Sequence, residues 1–191
     1  MTDFYAGIGS RETPDHILNI MHHIGAYLAD QKWTLRSGAA PGADTSFEEG
    51  AKRQGGETEI YLPWEGFNSS QSNLHPKAYP FSDEEKQFTA TYHPAWKKCS
   101  PSARLLHQRN TRIVVGLEAL HGENVTPVKF VVAWTENGAL KGGTAQALRI
   151  ATALNIPIIN LGSAQTAQEL EALVLAVDEL QADLKNKKVI G

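Results

Sequence analysis

Four short segments of this 191-residue chain carry the residue types that hold phosphate. Lys141-Gly142-Gly143-Thr144 follows the apolar run Val128–Trp134 and opens the helical pattern Ala145–Leu154. Glycine lets backbone approach an anion closely, and the free N–H groups and dipole of a helix start favour negative charge. Gly7-Ile8-Gly9-Ser10-Arg11 repeats this layout between the apolar Phe4–Ile8 and the helical Pro14–Asp30. There Gly7, Gly9 and Ser10 offer hydrogen bonds to a phosphate, or the glycines serve a tightly packed turn. Arg11 at a helix start opposes the dipole unless an anion is bound or the side chain turns to a carboxylate. Two such turns point to a nucleotide-type ligand held between them.

The third segment is Ser37-Gly38-Ala39-Ala40-Pro41-Gly42-Ala43-Asp44. Asp44 is either an N-cap or a group for a ribose hydroxyl or a water. Glu48, one turn later, is a second candidate carboxylate for acid–base chemistry. The fourth segment is Arg109-Asn110. The planar fork of Arg109 suits bidentate phosphate binding; its alternative is a surface salt bridge. As a partly exposed residue its loss is expected to cost affinity and leave folding nearly unchanged. Asn110 holds the loop or contacts the ligand, and Trp134, followed by Thr135, stacks on a base or fills the core. The expected ligand set is therefore Gly7, Gly9, Ser10 and Arg11; Ser37, Gly38, Gly42, Ala43 and Asp44; Arg109 and Asn110; Trp134 and Thr135; and Gly142, Gly143 and Thr144. Arg109, Asp44 and Glu48 are the catalytic candidates. His75, His93 and His107 have no regular ligand spacing, and Cys99 is the only cysteine, so neither a metal site nor a disulfide is expected. No cofactor is expected either.

The elements that must position these residues alternate between strand and helix. Phe4–Ile8, Trp33–Arg36, Glu59–Leu62, Lys129–Trp134 and Pro157–Leu161 read as strands. Thr13 is a good N-cap for the helix Pro14–Asp30, where Ile17, Ile20, Met21, Ile24 and Leu28 recur at helical spacing. Thr45–Gln54, Ser82–Tyr92, Ser102–Arg109, Thr144–Leu154 and Thr166–Leu184 are the other helices. Arg112–Gly116 is strand-like or a helix continuation. Pro63–Tyr79 has no period and reads as a long ordered loop, a candidate lid. The alternation implies one α/β domain over 1–184, a mostly parallel sheet with helices on both faces, an insertion at about 63–108 and a frayed basic tail at 185–191. In such sheets ligands sit outside the carboxyl ends of the strands, where all the glycine turns fall.

Composition narrows the class. With 41% hydrophobic residues the chain folds, and no apolar run nears the roughly 18 residues of a membrane span. A soluble, cytoplasmic protein is expected. The net charge is −3, yet Lys86–Leu117 holds Lys86, Lys97, Lys98, Arg104, Arg109 and Arg112 with no Asp or Glu. That window is either a local anion site or a solvated helix face. With Tyr92, Trp96 and His107 interleaved it also fits the single-stranded DNA recipe of charge plus stacking.

Four motifs in order resemble one superfamily. Tyr5–Arg11, Ser37–Asp44, Arg109–Leu117 and Asn137–Ala151 are similar to successive segments of the DNA-processing protein A fold, which is grouped with the Lonely Guy phosphoribohydrolases. Leu106-His107-Gln108-Arg109-Asn110 resembles the Lonely Guy arginine motif and places Arg109 at its arginine. The position of that family's catalytic glutamate holds Ala147. The resemblance implies a Rossmann-like nucleotide-binding domain, a homodimer, and a short stand-alone, phage-type member. Its alternatives are a nucleotide N-glycosidic hydrolase, with Glu12, Asp44 or Glu48 replacing the lost carboxylate, and a single-stranded DNA-binding recombination mediator.

Overall fold

A computed structural model describes residues 2–117 and 126–190. Five parallel strands form one sheet: β1 (Phe4–Gly9), β2 (Thr34–Ser37), β3 (Thr58–Ile60), β4 (Phe130–Trp134) and β5 (Ile158–Asn160). Their order is β3-β2-β1-β4-β5. The helices are α1 (Asp15–Asp30), α2 (Ala43–Arg53), α3 (Asp83–Thr91), α4 (Pro101–Val115), α5 (Thr144–Ala153) and α6 (Ala167–Ile190).

The central strands are apolar because both of their faces are covered. Successive side chains point to opposite faces. Tyr5, Phe130 and Val132 join Met21, Leu28 and Phe47 under α1, α2 and α6, whereas Ala6, Ile8, Val131 and Ala133 join Ile113, Val114, Leu148 and Ile150 under α4 and α5. The register pairs Gly9 with Trp134, so the two central strands end level with each other. Among the described residues no helix is long and apolar enough to cross a membrane.

Two local readings change and one open alternative is resolved. Pro14, not Thr13, occupies the N-cap of α1, with no side-chain cap; the Thr13 hydroxyl instead donates to Ser10 O at 2.8 Å. Of the two alternatives for Arg112–Gly116 the helix continuation holds: α4 runs through to Val115 with Gly116 as its C-cap. Ser100 caps it at Ala103 N, and the β-branched Ile113–Val115 face the sheet rather than joining it. Helix α6 runs on to Ile190, and Lys185 Nζ donates to Gln31 O.

Candidate functional site

The strand order reverses between β1 and β4, and in such sheets ligands sit outside the carboxyl ends at this switch point. Ser10 N donates to Trp134 O at 3.2 Å and closes the strands together there. Helices α1, α2 and α5, which follow β1, β2 and β4, begin at this edge. None of the three has a side-chain hydrogen bond at its N-cap.

Behind the edge lies a buried clamp. Asp44 accepts from Gly9 N at 3.2 Å and Ala40 N at 3.4 Å. Its Oδ2 lies 3.6 Å from Arg109 Nη1, which donates to Gly38 O. Both side chains are buried. Burial pushes the Asp44 carboxyl above its ordinary range, while Arg109 and the backbone N–H groups of Ala40, Gly9 and Gly38 pull it back. Burial likewise lowers the Arg109 guanidinium and Asp44 opposes this. A Cβ on Gly38 would fall inside that guanidinium, so glycine is required for the close approach. Arg109 is therefore not partly exposed as expected: at 6% exposure it ties α4 to the β2 turn. Its Nε is buried with no hydrogen-bond partner.

The start of α5 differs from this packed interior. Gly142 and Gly143 are exposed, and nothing lies within 4 Å of where their side chains would be. The first turn of α5 contains no acidic residue; those of α1 and α2 contain Asp15 and Asp44. Asn110 Nδ2 donates to Gly143 O at 2.9 Å and pins the glycine turn to α4. Thr135 is fixed by Asn160, which accepts from Thr135 N at 3.1 Å and donates to its hydroxyl at 2.7 Å. Arg11 lies exposed over the α2 start, its backbone against Gly42, whose φ of +91° needs glycine. Among the described residues Arg11 forms no ion pair.

The 63–79 segment covers part of this edge. Phe67 is buried, with the Arg109 guanidinium carbon 5.8 Å from its ring centre. Asn68, in the left-handed region at φ 49°, donates to Ala39 O at 2.9 Å. Ala39 itself stands at φ 56°, a conformation that costs a non-glycine residue about 1–3 kcal/mol and clusters at functional sites. Phe67 and Asn68 belong to the loop read as a candidate lid, but their contacts with Arg109 and Ala39 were not foreseen, and Asn160 escaped the sequence reading.

Other expected residues have structural positions. Gly7 lies within β1, its carbonyl accepting from the Ser37 hydroxyl at 2.6 Å. Ala43 packs where a Cβ on Gly9 would stand. Trp134 is half-buried against the core. Glu48 pairs with Lys52 at 2.5 Å, and Glu12 is exposed. The basic window is half neutralised. Arg112 is buried and forked onto Glu85 at 2.7 and 2.9 Å, Lys86 pairs with Asp83 at 2.8 Å, and Arg109 faces Asp44. Asp83 and Glu85 stand just before the window and Asp44 far upstream of it, so the sequence count hid them.

This order of strands, with glycine turns at their carboxyl ends, makes a Rossmann-like α/β domain. The chain belongs to the DNA recombination-mediator protein A family, which it matches over residues 2–184. Its fold is similar to two structures of the molybdenum cofactor carrier protein of Chlamydomonas reinhardtii. One shares 18% identity, with 95% of this chain and 99% of that chain covered and a TM-score of 0.55. The other shares 18% identity, with 94% and 86% covered and a TM-score of 0.50. At that identity the likeness concerns the fold. No curated protein matches the sequence significantly.

Proposed function

We propose that the protein binds a nucleotide or nucleotide-derived small molecule through its phosphate, at the carboxyl ends of β1 and β4. The observation that carries this reading is the start of α5: uncapped, free of acid in its first turn, and opened by two exposed glycines. The first N–H groups of a helix have no partner within it and point at whatever lies beyond. Arg11 supplies the accessible cation. Asn110 and Arg109 act as positioning residues for the glycine turns. Similarity to proteins named as carriers of a cofactor supports a small-molecule ligand. Calorimetry against nucleotides and ADP-ribose derivatives is expected to show one-to-one binding. A folded protein that binds none of them ends this reading.

Family membership favours a second reading, a recombination mediator that binds single-stranded DNA. Exposed Lys97 and Lys98, with Arg104 5.4 Å from the Trp96 ring centre, remain available for it. Phosphate-dominated binding weakens steeply with salt, so a gel shift at low salt is decisive; no complex removes the reading. N-glycosidic hydrolysis finds less support. Ala147 is buried in the core, Asp44 is committed to Arg109 and two backbone amides, and Glu48 to Lys52. Release of free base from nucleoside monophosphates, lost in Glu12→Gln, would revive it.

A further inference from the structure

We infer that the turn between α3 and α4 is a binding site for one thiophilic d10 metal ion, held by His93, Cys99 and His107. The three come from a His-x5-Cys-x7-His spacing that follows no helical or zinc-finger period. The chain brings them together by turning back on itself. His93 follows α3, Cys99 closes the short turn Trp96–Lys98, and His107 lies on α4. One ligand atom of each lies within 4.8 Å of the others. Cys99 Sγ is 3.7 Å from His93 Nδ1. Tetrahedral geometry with Zn–S of about 2.3 Å and Zn–N of about 2.05 Å separates the two ligand atoms by about 3.6 Å, close to this pair's spacing, and the sulfur stands 3.8 Å from His93 Nε2 as well.

A second observation points the same way. His107 Nδ1 is buried and has no hydrogen-bond partner, a cost that a protein seldom leaves standing without a reason. Contact with the His93 ring, at 4.2 Å between centres, does not satisfy it. His93 Nδ1 accepts from Ala95 N at 3.2 Å besides its contact with Cys99 Sγ. Ala95 is exposed, so that amide passes to water when an ion takes the nitrogen. Trp96 stands 6.0 Å from His93 and 6.5 Å from His107 and walls the group with apolar surface, as the shell around a metal site does.

Binding is a balanced exchange: the Cys99 S–H bond breaks, its proton goes to solvent, and the thiolate forms the sulfur–metal bond while each imidazole donates a lone pair. Thiolate with two imidazoles suits Zn2+ and Cu+ alike. Lys97, Lys98, Arg104 and Arg149 make the surroundings basic, and one thiolate cancels the charge of Cu+ fully and that of Zn2+ by half. Three protein ligands leave one position of a tetrahedron open. The ion would staple the 92–100 turn to α4, two residues from Arg109.

The test uses the full-length protein stripped with chelator. Zn2+ and Cu+ are titrated separately against a chromophoric competitor, and Co2+ serves as a probe for thiolate-to-metal charge transfer. One equivalent of at least one of the two ions is expected to bind, the tighter naming the occupant, and Cys99 should become protected from maleimide. Cys99→Ser, a half-exposed position, should abolish the cobalt band and weaken binding by roughly tenfold or more for the lost ligand bond. His93→Asn should weaken it similarly. Far-UV circular dichroism confirms that each variant is folded. No stoichiometric binding of either ion to the folded wild type, or binding unchanged by Cys99→Ser, overturns the proposal.

Discussion

Helices α3, α4 and α6 start with a side-chain cap; α1, α2 and α5 do not. Ser82 and Glu85 form a reciprocal capping box on α3, Ser100 caps α4, and Thr166 accepts from Glu169 N at 3.1 Å on α6. The first N–H groups of the other three helices lack such a partner, and these are the helices that follow β1, β2 and β4. A cap contributes about 1 kcal/mol, so leaving it out at three helices along one edge forgoes stability where a ligand would supply the missing acceptors. The clamp of Asp44 and Arg109 holds that edge in shape without caps. The capped helices hold first-turn N–H groups on side chains, whereas Ile17 N in α1 and Thr45 N in α2 turn to the backbone carbonyls of Pro14 and Ala40.

The largest effect should come from breaking what holds the uncapped edge. Arg109→Ala leaves Asp44 buried without its cation, which costs about 3–5 kcal/mol, read by chemical denaturation. A melting temperature close to wild type would mean that the pair is not closed in solution. Next, Arg11→Ala should leave stability unchanged and cost about 1.5–3 kcal/mol of ligand affinity, the worth of a hydrogen bond to a charged group; calorimetry measures it. Third, Gly143→Asp adds to α5 the acid its first turn lacks. It should stabilise the helix by about 0.5–1 kcal/mol and weaken anion binding roughly tenfold, about 1.4 kcal/mol. Stability and affinity moving in the same direction would break the comparison. Smallest, Ser82→Ala on capped α3 should cost about 1 kcal/mol of stability with no change in affinity.

The alternation of apolar runs and helical periods made the parallel sheet legible, because strands buried on both faces and amphipathic helices leave distinct patterns. The glycine turns were legible for the same local reason. Arg109 was not. A fork suited to phosphate is equally suited to a carboxylate, and only the fold brings Asp44 to 3.6 Å from it. The basic window misled because Asp83 and Glu85 stand just upstream and reach back by one turn and by packing. The grip of the 63–79 segment through Asn68 and Phe67 depends on contacts with Ala39 and Arg109 that no local pattern encodes.

The bond between Arg109 and Gly38 joins residues 71 apart in sequence. Closing a loop of that length costs on the order of 4 kcal/mol of chain entropy, so the contact forms late, after local units have assembled. Residues 4–60 hold β1, α1, β2, α2 and β3 and can begin to pack as they leave the ribosome, yet Asp44 has no cation until α4 arrives. This edge is thus a record of completed folding. A chain stalled, cut or misassembled before α4 docks keeps its glycine turns and still lacks the edge, and a ligand bound there as proposed would count only finished molecules.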